Sequence, residues 1–266
     1  MINLPHRQRG LSLIELMIAM VLGLLLIAGA LQMMLTSQTI HQTTDTLSRI
    51  QENGRFALSF LTKSTRMGGY NSSEDEATEG KVFWDGVCDT SGPCTNNGAG
   101  NASDQIGVLL DPSNDSDCIG NPVGEEDKVI VNVYSIDGSP DNNQINSLYC
   151  QGFDPVTNLP YGAKQPLVDG IENMQVLYGV SDPAASNAIT SYISADGVTD
   201  WASIGAVRIS LLVNNGQVEG SGNSETRTFK LLDAPTISAT DRHERQVYTT
   251  TTAITNIIYQ SQDFNQ

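Results

Sequence analysis

Apolar and polar positions follow three regimes along the chain. The first is continuous: Leu11 to Leu31 is a run of 21 apolar or small residues broken by one carboxylate, Glu15. As a helix it is long enough to cross the hydrocarbon core of a bilayer, which takes about 20 residues. An acid costs roughly 2.5–3.5 kcal/mol at the bilayer centre and less near its edge, so such a residue usually has a partner and a task.

The second regime is periodic. Met33, Ile40, Leu47 and Leu61 fall seven residues apart with Gly54 in the gap, and Ile50 and Ala57 form a neighbouring row. That spacing predicts an amphipathic helix leaning on other structure. No proline occurs between Pro5 and Pro93, and Gly68-Gly69 after Arg66 reads as the stop. One helix from Leu11 to Met67 is therefore expected, roughly 85 Å long at 1.5 Å per residue. Its upper part packs and its lower part projects.

In the third regime residues 71–127 are rich in Asn, Ser, Gly and Asp, with "QIGVLL" the one patterned stretch, and read as extended loops. Strands are then predicted at "KVIVNVY", "IENMQVLYGV", "AVRISLLV", "TRTFKLL" and "QVYTTTTAITNIIY". In "AVRISLLV" the alternation of Val207, Ile209, Leu211 and Val213 with Arg208, Ser210 and Leu212 predicts a half-buried strand. Turn-rich links between successive strands point to a mainly antiparallel sheet, giving an α+β fold.

Charge and cysteines narrow the setting. The formal charge of −16 excludes a protein that grips nucleic acid through a broad basic face. Arg7 and Arg9 precede the apolar run, which by the positive-inside rule keeps the N-terminus cytoplasmic and exports the rest. Cys88, Cys94, Cys118 and Cys150 lie beyond that run, as two disulfides in an oxidising compartment would. Four cysteines allow three connectivities. With no CxxC pair and three scattered histidines, no zinc site is expected. Ala28-Gly29-Ala30 matches a conventional signal cleavage site only loosely, and Gly10, before the apolar core, is the other boundary.

"RQRGLSLIELMIAM" resembles the class III signal of type IV pilins and pseudopilins: basic leader, Gly, short apolar step, Glu, then a full membrane span. The resemblance implies that a prepilin peptidase cuts between Gly10 and Leu11 on the cytoplasmic side and that the helix is retained. Leu11, where Phe is commonest, becomes the methylated N-terminus, and Glu15 pairs with the free amine of a neighbouring subunit during assembly. The competing reading of Glu15 is a carboxylate snorkelling to the headgroups. Many relatives carry a proline inside the membrane segment; none lies between Leu11 and Gln32 here.

"QENGRFAL", "SDCIG", "SLYCQG", "PLVDGIENMQVLYGV", "WASIGAVRISLLV" and "DRHERQVYTTTTAITN" resemble, in order, blocks of the PilW-type minor pilins. From this follow a type IV pilin-like fold and four segments. They are a leader (1–10), a transmembrane part of the helix (11–31), an amphipathic part (32–67) and a periplasmic β-rich domain with disulfide-stapled loops (68–266). Within the resemblance the implied pairs are Cys88–Cys94, which is local, and Cys118–Cys150, which brackets a strand of a family-like block. Implied too are a single-pass inner-membrane location followed by the pilus, and a role in priming assembly at or near the tip. The partners would be other minor pilins, the major pilin, the prepilin peptidase and a tip adhesin. A type II secretion pseudopilin and a ligand-binding tip subunit are the alternatives.

No enzymatic set emerges, and no cofactor or metal is expected. Asp111, Ser113, Asp115 and Asp117 alternate like the start of a calcium loop but lack its Gly and distal Glu, so a solvated acidic turn is expected. His243 reads as a surface residue of a charged turn, and Trp84 and Trp201 as core or loop anchors. Asn71, Asn101 and Asn114 stand in N-x-S contexts too short to carry meaning alone.

Overall fold

The computed structural model describes residues 12–70, 81–88, 92–112, 115–124, 128–138, 146–182, 188–218 and 224–256, with the backbone alone for 215–218. Gly10, Leu11, Ser113, Asn71 and Asn114 lie outside them. The chain divides into two units, Met1–Asp45 and Thr46–Gln266.

In the first unit the helix α1 (Leu13–Met67) begins. Its apolar side chains from Leu13 to Leu35 face outward, and none of its membrane-length window is buried by the rest of the chain. Met33 and Ile40, which the periodicity places in the amphipathic stripe, are 78% and 59% exposed. Beyond Leu35 the helix is polar, and Thr36, Thr39, Thr43 and Thr44 each donate a hydroxyl to the carbonyl four residues earlier.

In the second unit the helix acquires a buried stripe: Thr46, Ile50, Gly54, Ala57, Leu61, Ser64 and Thr65. Burying Ile50 and Leu61 contributes roughly 1.5–3 kcal/mol each. Gly54 is a close-approach residue, since a Cβ there would stand 2.7 Å from the ring of Tyr248. The Gly68 N–H returns to the Ser64 carbonyl, Gly69 takes φ +76°, and its N–H crosses to Leu109, which ends the helix. The Asn256 amide donates to the carbonyls of Arg66 (3.0 Å) and Gly68 (3.3 Å), so the end of the last strand caps the helix.

Where one sheet is expected, three are present among the described residues, all antiparallel. The first has the order β1 (Ile106–Leu110), β2 (Ile130–Gly138), β3 (Asn146–Phe153), β4 (Gln165–Asp169). The second has the order β10 (His243–Ala253), β7 (Ile204–Val218), β5 (Ile171–Asp182), β6 (Ala188–Ile193). A hairpin pairs β8 (Glu225–Phe229) with β9 (Ile237–Asp241). The break between the two large sheets is Gly170, at φ +77°, which turns the chain from β4 into β5 where a Cβ would collide with the Asn214 carbonyl. The helical stripe and both sheets share one core, including Ile106, Val108, Ile130, Leu148, Met174, Val207, Ile209 and Leu211. Leu109, Val131, Val133 and Phe153, on the other face of the first sheet, form a second core with the Cys88–Cys94 pair.

β7 is not half-buried: Leu212 and Ser210 are as inaccessible as Ile209 and Leu211. Loop 98–105 supplies part of the cover over the facing residues of β5. Asn173 and Gln175 donate to the Asn101 and Ala102 carbonyls. β6 pairs with β5 only from Tyr178 onward, so the same loop completes the open edge of β5. There Asp104 N–H bonds the Met174 carbonyl, and the Asp104 carboxylate accepts the N–H groups of Val176 (2.7 Å) and Gly98 (2.8 Å).

Candidate assembly surface

Glu15 sits in the first turn of α1, exposed and flanked by the exposed apolar side chains of Leu13, Ile14, Leu16, Met17 and Ile18. An anion is favoured there by the unpaired N–H groups and dipole of a helix N-terminus. The side chains around it are apolar.

The segment "QENGRFAL" divides between two faces. Asn53 donates to the Asp169 carbonyl at 2.9 Å, and Gly54 and Ala57 enter the core. Gln51, Glu52, Arg55 and Phe56 point to solvent. With Phe60, Lys63, Arg66 and Met67 they make a face about 160° around the helix from the buried stripe, by 3.6-residue periodicity. Phe56 is 51% and Phe60 43% exposed. From Thr46 to Met67 the helix carries Arg49, Arg55, Lys63 and Arg66 against Glu52 alone, in a chain whose net charge is −16. The outward face of the second unit's helix is thus cationic and aromatic.

The other candidate residues fall into structural roles. Cys88 is bonded to Cys94, and Cys118 to Cys150, which ties the loop before β2 to β3. Asp111 and Asp117 are buried rather than solvated, because Asp117 accepts the N–H groups of Ile119 and Asn121 and so closes its own turn. Among the described residues no group of His, Cys, Asp and Glu is placed to hold a metal. Trp201 stacks edge-on with Phe83 and Tyr178 in the core. His243 is half-buried at the bulge between His243 and Arg245, with Nδ1 shielded and without a hydrogen-bond partner.

Two features have no local signal. Arg245, whose side chain is 7% exposed, grips Asp241 with both terminal nitrogens (2.7 and 2.8 Å) and reaches Glu172 through Nε at 2.6 Å. Asn214 donates to the same Glu172 oxygen at 2.8 Å. The hydrogen bonds from Arg245 hold the Asp241 carboxyl at about 2. Asp104 moves the other way: burial pushes it up to about 6, against the lowering effect of its two N–H donors.

The chain thus combines a long apolar helix that continues into an amphipathic half, antiparallel sheets and two disulfides. The family described as type IV pilus-assembly protein W matches residues 133–256, and the prokaryotic N-terminal methylation motif matches residues 5–31. Residues 133–256 belong to the PilW family of type IV pilus-assembly proteins, and they stand behind a prepilin-type N-terminus. A type IV-like pilin from Thermus thermophilus is 11% identical, with 79% of this chain and 98% of that chain covered at a TM-score of 0.46. No curated protein matches the chain. As a PilW-family pilin it is a structural subunit of pilus assembly and not an enzyme. The methylation motif and apolar helix are those of an inner-membrane prepilin that passes into the pilus, with pilin partners and prepilin peptidase processing.

Proposed function

We propose that this PilW-family chain is a minor pilin that joins other minor pilins in the membrane, primes growth of the filament and remains at or near its tip. The observation that carries the reading is the union in one chain of a methylation motif over residues 5–31 and a PilW region over residues 133–256. Cleavage falls between Gly10 and Leu11, the new amine of Leu11 is methylated, and residues 11–31 stay as the membrane anchor. Residues 68–266 then face the periplasm, where the two disulfides form. The major pilin, the prepilin peptidase and a tip adhesin complete the partner set.

Glu15 has the central part in docking. Its carboxylate meets the free amine of a neighbour's first residue, and each neutralises the other in apolar surroundings where the Coulomb attraction is strong. Glu15→Ala leaves insertion and cleavage intact and lowers incorporation into sheared filaments per molecule of processed protein. Glu15→Gln keeps the shape without the charge and separates pairing from hydrogen bonding. Intact mass from a host with the peptidase shows loss of residues 1–10, and gold labelling of filaments marks one end. Wild-type incorporation by both Glu15 variants would remove the docking role. Label along the whole shaft would remove the tip assignment.

A further inference from the structure

Outside α1, the large apolar side chains most open to water among the described residues are Val156 and Leu159, at 77% and 64% exposure. Both lie in the loop from Asp154 to Pro160 that joins β3 to β4. An exposed Val or Leu on a surface is ordinary. What is unusual is the amount of structure spent on holding this loop in one shape.

Asp154 is the hub. Its Oδ1 accepts the N–H groups of Val156 (2.8 Å) and Thr157 (3.2 Å), and Lys128 Nζ meets Oδ2 at 3.1 Å. Its own N–H reaches the Leu159 carbonyl at 3.0 Å, and its carbonyl accepts the Asn158 N–H at 2.8 Å. Asn158 takes the left-handed conformation, φ 59°, that lets the loop close. Pro155 and Pro160 stiffen the two ends, and Pro160 bridges back to Phe153. Burial alone would raise the Asp154 carboxyl, but the N–H groups and Lys128 outweigh it and hold it below its ordinary value, so the hub is ionised at neutral pH.

The base of the loop is braced as well. Tyr161 N–H bonds the Gly152 carbonyl at 3.0 Å, and Gln151 donates to the Gly162 carbonyl at 2.7 Å. Asp117 and Asn121 press on Gly152 and Gly162 so closely that neither glycine has room for a Cβ. The disulfide from Cys118 to Cys150 anchors that bracing loop to β3.

Ordering a surface loop costs about 1–2 kcal/mol of backbone entropy per residue. Here the loop is ordered, its charges are paired internally, and its two largest side chains face water. That combination is a pre-organised binding element, because a tip already fixed loses little freedom on docking. We propose that the Val156–Leu159 tip is a docking prong that inserts into an uncharged apolar cleft on another pilin subunit.

The chemistry selects that occupant. Because Asp154 is satisfied by Lys128 and by backbone, the prong offers no free charge to a basic or acidic groove. A membrane is disfavoured, since the chain's charge of −16 is repelled by anionic headgroups and two side chains anchor little to lipid. A second copy carries the same −16 and is repelled likewise. The inference rests on the chain being a pilus subunit, which supplies other pilins as neighbours.

The test uses the full chain in membranes of a piliating host. A photo-crosslinking phenylalanine derivative replaces Val156, and the adduct is identified by mass spectrometry. In parallel, co-purification of other pilin subunits is quantified for Val156→Ser with Leu159→Ser, and separately for Asp154→Ala. The expected adduct is with a different chain bearing a prepilin signal. The double variant should lower co-purification about tenfold or more, because the burial of two apolar side chains is lost, with the thermal unfolding temperature unchanged. Asp154→Ala, which keeps the tip but releases it, should give a smaller fall. Adducts with lipid alone, with a second copy alone, or undiminished co-purification by the double variant would each overturn the prong. Co-purification that is normal in the prong variants but lost in Glu15→Ala would remove the prong and leave the minor-pilin reading standing. No pilin with the wild-type chain would remove that reading instead.

Discussion

Arg245→Ala tests whether the charged turn after β9 is a structural clamp. The wild-type guanidinium makes three hydrogen bonds to two carboxylates while only 7% of the side chain meets water. Removing one partner of a fully buried pair costs about 3–5 kcal/mol, because the stranded charge keeps its desolvation penalty. Here Glu172 is 25% and Asp241 36% exposed, so water relieves part of that cost. A loss of about 2–3 kcal/mol is expected at pH 7 after that discount.

Asp241 allows an independent check, because Arg245 holds it at about 2 against an ordinary 3.8. Its share is about 2 kcal/mol unscreened and about 1 kcal/mol after allowance for its exposure. A depressed carboxyl contributes fully above the unfolded value and loses its contribution as pH falls through the folded one. The clamp should therefore weaken between about pH 4 and pH 2. Urea unfolding of the full chain in detergent, at pH 7 and at pH 2.5, measures both quantities. The gap between wild type and Arg245→Ala should narrow in acid by about 1 kcal/mol. A loss below about 0.5 kcal/mol at pH 7 would assign the turn to the ordinary surface. A gap that does not narrow would refute the pairing with Asp241.

Asp104 carries the opposite sign: raised to about 6 by burial, it favours the folded state most below about pH 4 and loses that advantage as pH rises through 6, a slope that Asp104→Asn should abolish in unfolding measured from pH 4 to 7. Replacing Cys118 and Cys150 by Ser opens a loop of 32-residue separation; it should cost about 3–4 kcal/mol, read as lower abundance in the periplasm and earlier unfolding. Asn256→Ala removes the donor shared by the Arg66 and Gly68 carbonyls. It should cost about 1 kcal/mol and speed amide exchange in the last helical turn, with unchanged exchange ruling the cap out.

How much of this was legible depends on whether a residue's surroundings are local. Ile50, Ala57 and Leu61 declare their stripe through helical spacing, and the structure buries all three. Met33, Ile40 and Leu47 repeat the same spacing yet are exposed, because period specifies a face and not what covers it. β3, β4, β6 and β9 left no clear pattern: β3 contains Gly152 and a cysteine, β4 is five residues with a proline, and β6 and β9 are largely polar. The double burial of β7 depends on cover that does not neighbour it in sequence. Arg245 reads as a solvated charge in "DRHERQ": Asp241 is four residues away, but Glu172, the second carboxylate that takes it out of water, lies 73 residues away. Asp104 is similarly silent: a lone acid in "NASDQIG" gives no hint that it completes a strand edge.

The two units also differ in what they need from outside. The body's stripe, sheets and disulfides close its cores within the chain. The Leu13–Leu35 segment closes nothing, and its side chains are satisfied only by lipid or by other helices. Since lipid tails are as apolar as leucine, moving that helix from bilayer to filament gains little hydrophobic free energy. On the minor-pilin reading, the preference for the filament must then come from terms that lipid cannot supply. On that reading Glu15 provides one, because a carboxylate that is costly in hydrocarbon is relieved by pairing with a neighbour's amine. On the same reading the cationic, aromatic face of Arg55, Phe56, Phe60 and Lys63 would provide another, since it is exposed in the single chain. On the minor-pilin reading, assembly is governed by these few polar exceptions, and the long apolar run sets where they are held.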